Sequence, residues 1–204
     1  IYLNECRHMG LQVSVPDVNT AQMNYYPDIE NRNETQRIVY GLSAIRNVGE
    51  GIVSLLISER NSNGPFIDFY DFCERVDIQV LNRRAIEALI KAGAFDSLGH
   101  TRQGLLASYE QIIEQTVSRR REKEMGVMTL FETEEGDASQ VFDDKVLIPE
   151  IEFEKQQRLS FEKEMLGRYI SDHPLRGYEG TLRRKCDATS QGVSTLDEGK
   201  VIKV

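Results

Sequence analysis

The sequence predicts a mainly α-helical fold: two tandem helical hairpins flanked by short strand-containing segments. Three observations point there. Over Tyr40–Arg60, two helical patterns meet at Val48-Gly49-Glu50-Gly51. Leu42, Ile45 and Val48 keep a three-residue step, while Ile52, Leu55 and Leu56 keep the three-then-four step of a buried helix face. A comparable unit follows about 43 residues later, where Leu81, Ala85, Ile86, Leu89 and Ile90 line one stripe before a turn at Ala92–Asp96. One helical hairpin cannot close a core, but two can pack into a four-helix unit.

Along the chain, residues 1–11 read as the end of a helix closed at Gly10, and Leu11–Val15 alternates as a short strand ended by Pro16-Asp17. Residues 16–35, rich in Asn, Pro, Asp and Tyr, read as ordered connection. The first hairpin is expected over 42–60, with a turn at Asn61–Pro65. Asp68, Asn82 and Thr101 suit the N-caps of three further helices, since each side chain can accept from a first-turn amide. The Thr101 helix places Leu105, Leu106, Ile112 and Ile113 inward and ends in the charge run Ser118–Glu124, which reads as a solvated helix end. Residues 132–150 read as an acidic linker, 151–168 as another helix, and Lys200–Val204 as a strand.

Composition narrows the class. Hydrophobic residues at 40% and charged residues at 28% are ordinary for a globular chain. No apolar run approaches the roughly 18 residues of a membrane span, so no membrane partner is expected. The opening residues carry no signal peptide and lack an initiator Met, which leads us to expect a piece of a longer polypeptide. Cys6, Cys73 and Cys186 lie far apart, which fits a reducing, cytoplasmic setting and neither a disulfide framework nor a zinc site. The histidines His8, His100 and His173 lack companion ligands nearby, and no metal site is assigned.

The net charge of −8 is unusual for a nucleic-acid binder, so its distribution matters. Glu132–Glu164 holds 11 acidic residues against 4 basic ones, whereas Arg37–Arg102 holds 8 of each. The acidity therefore sits downstream of the hairpins. At the first hairpin, the two glycines allow positive φ and let the backbone approach a ligand closely, and the second helix starts with free N–H groups suited to an anion. This is the arrangement of a helix-hairpin-helix motif, which holds a nucleic-acid phosphate through backbone amides. An ordinary αα-hairpin with a Gly-rich turn fits the same pattern.

The ordered set of motifs resembles the α subunit of bacterial DNA polymerase III, the C-family replicative polymerases. It comprises Tyr40–Gly51, Gly64-Pro65-Phe66, Asp71-Phe72-Cys73, Leu81–Arg84 and Lys91–Gly99. Outer matches are Tyr2–Gly10 with Pro16–Asn19, Met128–Phe131, and Glu164–Leu175. The resemblance implies a division into the end of a fingers domain (1–37), a tandem helix-hairpin-helix DNA-binding domain (38–125), a clamp-binding peptide with acidic linker (126–150), a helical connector (151–193) and the start of an OB-fold (194–204). It also implies that the parent is a DNA-directed DNA polymerase, a nucleotidyltransferase. Its catalytic aspartates and Mg2+ belong to an upstream palm, so no catalytic residue and no cofactor is assigned here; Asp143 and Asp144 read as linker charge.

By matching position, the resemblance implies backbone donors to duplex DNA at Gly49, Glu50, Gly51 and Ile52, and at Gly93 and Ala94 in the second hairpin. Arg46, Arg83, Arg84 and Lys91 are the candidate supporting cations. A monovalent cation on hairpin carbonyls is compatible with the motif. Val127, Met128, Thr129, Leu130 and Phe131 stand where the family carries its sliding-clamp peptide, with Val127 in place of the usual Gln. The implied partners are primer–template duplex, the sliding clamp and other holoenzyme subunits. Two rival readings are a stand-alone DNA-binding module of a repair or recombination protein, and a protein-interaction scaffold.

Overall fold

The computed structural model describes residues 5–6, 8–28, 37–125 and 145–186. The chain divides into two compact units, Ile1–Ser171 and Asp172–Val204. The first carries strands β1 (Gln12–Ser14), β2 (Tyr26–Asp28) and β3 (Arg37–Val39), then helices α1 (Glu50–Asn63), α2 (Phe69–Arg75), α3 (Arg83–Ala92), α4 (Arg102–Glu124) and α5 (Lys155–Leu166). In the second, a turn at His173–Tyr178 leads into α6 (Glu179–Lys185). The mainly helical expectation matches this architecture.

The entry helix ends as its glycine requires. Met9 N–H donates to Glu5 C=O, Leu11 N–H to Cys6 C=O, and Gly10 turns at φ 73°. β1 then forms within the expected Leu11–Val15 stretch. Its partner is β3, in parallel register with Val13 opposite Ile38, and β2 adds antiparallel to the other edge of β3. The segment read as plain connection thus contains β2, and β3 closes a three-stranded sheet in the order β1-β3-β2.

The first expected helix of the hairpin is a single 3-10 turn, Leu42–Ala44, followed by turns rather than an α-helix. The three-residue step was the signal: a 3-10 turn repeats every three residues, and Leu42, Ile45 and Val48 are all buried. Gly41 is demanded here, because a Cβ would collide with the backbone of Met23 and Asn24. Leu42 N–H donates to Gln22 C=O and Ser43 N–H to Met23 C=O, which clasps the turn to the strand layer.

The three caps form as expected. Asp68 accepts from Asp71 N–H, Asn82 from Arg84 and Ala85 N–H, and Thr101 Oγ1 from Gly104 N–H. On α1 the buried line is Val53, Leu56 and Arg60, with Ile52 and Leu55 half-buried beside it. Arg60 reaches inward to donate to Val18 C=O (3.0 Å) and Ala21 C=O (2.8 Å), tying α1 to the strand segment. Phe66, Phe69, Phe72 and Phe95 form the aromatic centre, with ring centroids 4.9–6.1 Å apart.

Two stretches depart from expectation. Arg120, within the charge run expected to be solvated, folds back to cap α2 through the carbonyls of Cys73, Glu74 and Val76. Residues 145–150, expected within the linker, lie against the helices: Val146 and Ile148 pack on the core, and Tyr70 Oη donates to Val146 C=O. The clamp-type peptide Val127–Phe131, Asp143, Asp144 and the expected Lys200–Val204 strand lie outside the described residues.

Candidate nucleic-acid interface

The first hairpin is built by anchoring alternate parts of a short loop. Ile45 and Val48 are buried and pull the loop onto the core, which leaves Arg46 and Asn47, then Gly49, Glu50 and Gly51, exposed. The positive φ in this loop falls on Asn47 (68°), not on a glycine. Asn is the non-glycine residue that best tolerates that conformation, because its short amide can bond locally. Gly49 sits in extended backbone (φ −77°, ψ 151°) and Gly51 in the first turn of α1. The glycines are therefore not needed for backbone conformation, which corrects the sequence expectation.

What they leave is space. A Cβ at Gly49 or Gly51 would meet nothing within 4 Å, so the protein's own packing does not explain either residue. Among the described residues no side chain caps α1, and Gly49, Glu50 and Gly51 at its start are exposed. A helix start of this kind carries partial positive charge and unpaired donors. Glu50 adds one negative charge in the first turn and opposes part of that field.

The second hairpin is different. Gly93 caps α3 at φ 82°, and a Cβ there would strike the Arg102 guanidinium. Gly93 N–H donates to Ile90 C=O (3.0 Å) and Ala94 N–H to Leu89 C=O (2.9 Å). Both residues are buried. Their amides are spent inside the fold and cannot serve as donors to a ligand, which corrects their expected role. The start of α4 is covered as well. Thr101 caps it, Arg102 N–H faces the Glu152 carboxylate at 3.3 Å, and the chain around Pro149 lies directly on Gly104. An internal carboxylate occupies the position that an outside anion takes at an open helix start.

The candidate cations divide likewise. Arg83 pairs with Glu110 (3.2 Å) and with Glu114, and Lys91 pairs with Glu87 (2.8 Å) while lying over the Phe161 ring. Arg46 and Arg84 are exposed and make no ion pair among the described residues. The arrangement brings Arg46 and Gly49–Ile52 together on one surface loop, and it leaves Gly93 and Ala94 inside.

Behind the second hairpin lies a buried charge network. Arg102 bonds Asp96 (2.7 Å) and Glu162 (3.3 Å), and Glu162 also accepts from Ser171 Oγ (2.7 Å) and from Ser171 N–H. Burial pulls the Arg102 pKa down, but the bonds and charges of Asp96 and Glu162 outweigh it and hold the guanidinium protonated. Among the described residues no group of three His, Cys, Asp or Glu side chains is placed to hold a metal, and no helix is long and apolar enough to cross a membrane.

A paired-hairpin core with one open, glycine-lined helix start defines a helix-hairpin-helix protein, and residues 10–105 match the family described as helix-hairpin-helix motif. Over nearly its whole length the chain is also similar to DNA polymerase III subunit alpha. It is 40% identical over 190 residues to that subunit of Mycobacterium tuberculosis, covering 92% of this chain and 15% of the relative. Identity is 38% over 201 residues with Mycobacterium leprae, covering 98% and 16%. With Pseudomonas aeruginosa it is 37% over 202 residues, covering 89% and 16%. These similarities support reading the chain as a fragment of a DNA polymerase III α subunit, and it spans about 15% of the length of the curated relatives it matches.

Proposed function

We propose that this chain is the duplex-gripping and clamp-tethering segment of a replicative DNA polymerase. The observation that carries the reading is the open start of α1: exposed Gly49, Glu50 and Gly51, free space where two side chains are missing, and exposed Arg46 beside them. Backbone amides aimed at phosphate hold a duplex without reading its sequence, which suits an enzyme that copies any template. The contacts we assign are the amides of Glu50, Gly51 and Ile52, close approach at Gly49, and the side chains of Arg46 and Arg84. A monovalent cation on the loop carbonyls belongs to the same proposal.

The parent activity, template-directed DNA synthesis, is proposed from the relatives' name, with the Mg2+-binding aspartates outside this segment. No residue here is given a catalytic role. Tethering to the sliding clamp through Val127–Phe131 rests on the sequence position and on the Leu130-Phe131 pair. Contacts to other holoenzyme subunits, a cytoplasmic location and the five-part division of the chain belong to the same reading.

Fluorescence anisotropy of a labelled primer–template against the 204-residue chain and its Gly51→Val variant, at about 50 and 200 mM salt, tests it. The variant is a clean probe. The site has room for the new side chain, and Val is no worse than Gly in a helix. Salt-sensitive binding by the parent chain that the variant loses supports the grip; equal binding by both proteins rejects it.

A further inference from the structure

We infer that Arg168 belongs to the same phosphate-binding face as Arg46 and the start of α1, so that the duplex surface is assembled from two sequence-distant segments. The inference rests on the duplex-binding reading and adds a contact that the hairpin motif does not contain.

A helix leaves its last carbonyls without intrahelical partners. In α5 two of these are satisfied by the first hairpin: Met165 C=O accepts from Arg46 N–H at 2.9 Å, and Leu166 C=O accepts from Tyr40 Oη at 2.9 Å. Tyr40 is itself braced by the Tyr25 ring, edge-on at 4.5 Å. The end of α5 is thereby fixed to the loop that carries Arg46. Gly167 then turns the chain at φ 74°, and Arg168 follows as the next residue.

Arg168 is exposed and makes no ion pair among the described residues. It is close enough to Tyr25 for its charge to act on that hydroxyl. Arg168 stands three residues past the carbonyl that accepts from Arg46 N–H, which sets its backbone beside the hairpin loop. Glu50 and Glu164 are the nearby exposed carboxylates in the sequence of these two segments, and neither pairs with it. A fork of donors with no ion-pair partner among the described residues suits a phosphate oxygen, and its contribution falls with salt.

The test measures primer–template binding from about 50 to 200 mM salt for the 204-residue chain and for Arg168→Ala, Arg168→Glu, Arg46→Ala and Gly51→Val. Arg168→Ala is expected to weaken binding roughly two- to fivefold at the lower salt and to reduce the salt slope by about one. Arg168→Glu should weaken it further. Thermal melts confirm that each variant is folded; the exposed position predicts no change. If Arg46→Ala and Gly51→Val weaken binding while both Arg168 variants match the parent chain, the inference is overturned and the hairpin reading stands. If none of the four changes binding, the hairpin reading falls and Arg168 with it.

Discussion

Arg102 and Glu162 meet across 60 residues of sequence, their charged groups 3.3 Å apart and 6% and 1% exposed. Asp96 and Ser171 complete their bonding, so a charge pair sits where three elements converge on the second hairpin. Removing Arg102 leaves the Glu162 carboxylate buried with only neutral donors, whereas removing Glu162 leaves Arg102 still paired with Asp96. Arg102→Met is expected to cost roughly 3–5 kcal/mol in urea unfolding and Glu162→Ala less, and the Glu162→Ala/Arg102→Met double variant to cost less than the sum of the single changes. Additive losses would mean the pair is not coupled.

The two hairpin glycines should respond in opposite ways. Gly93→Ala forces a side chain into a left-handed position against Arg102 and should destabilise by roughly 1–3 kcal/mol. Gly51→Ala, in open helical backbone, should be neutral or stabilising by up to about 1 kcal/mol. Thermal melts of both variants decide this. A stable Gly93→Ala would contradict the contact.

The arginines of the α4 end should also separate. Arg120→Ala uncovers the carbonyls of Cys73, Glu74 and Val76 and should cost roughly 1–3 kcal/mol. Arg119→Ala and Arg121→Ala, both exposed, should stay within about 0.5 kcal/mol of the parent chain. Equal effects at all three positions would remove Arg120 from the cap.

Cys73 provides a pH signature. Burial pushes its thiol up from 9.0 to about 12. The unfolded chain therefore releases this proton first as pH rises. The stability is whole below about pH 9 and declines toward pH 12, with a slope approaching 1.4 kcal/mol per pH unit. Cys73→Ala should flatten that decline. In the native chain a maleimide at pH 7.5 should spare Cys73 and label it once the protein is unfolded; prompt native labelling would refute its burial.

Legibility in the sequence followed the range of the interaction. Asp68, Asn82 and Thr101 were readable as caps because a cap is decided by a side chain and the amide two or three residues on. The stripe of α3 was readable because its period is local. β2 and β3 were not, since three-residue strands carry too little pattern and owe their existence to partners elsewhere. Leu42, Ile45 and Val48 gave the right buried residues with the wrong helix type. At the site, the open start of α1 was visible in Gly49 and Gly51. The closure of the second hairpin depended on Glu152 and Pro149, about 50 residues away, and no local signal announced it.

The hydrogen bond from Tyr40 to Leu166 spans 126 residues, and its consequence concerns how the molecule can be divided. The contacts between the Arg46 loop and α5 can form only once the far end of α5 has been synthesised. Closing so long a loop is an entropic cost that the local hairpin contacts cannot meet early. A fragment cut after α4 keeps every residue of the two hairpins yet loses the acceptors for Tyr40 and Arg46 and Glu162, the second of the two carboxylates on Arg102. The first compact unit runs to Ser171, so the piece that contains these supports is larger than the hairpin motif.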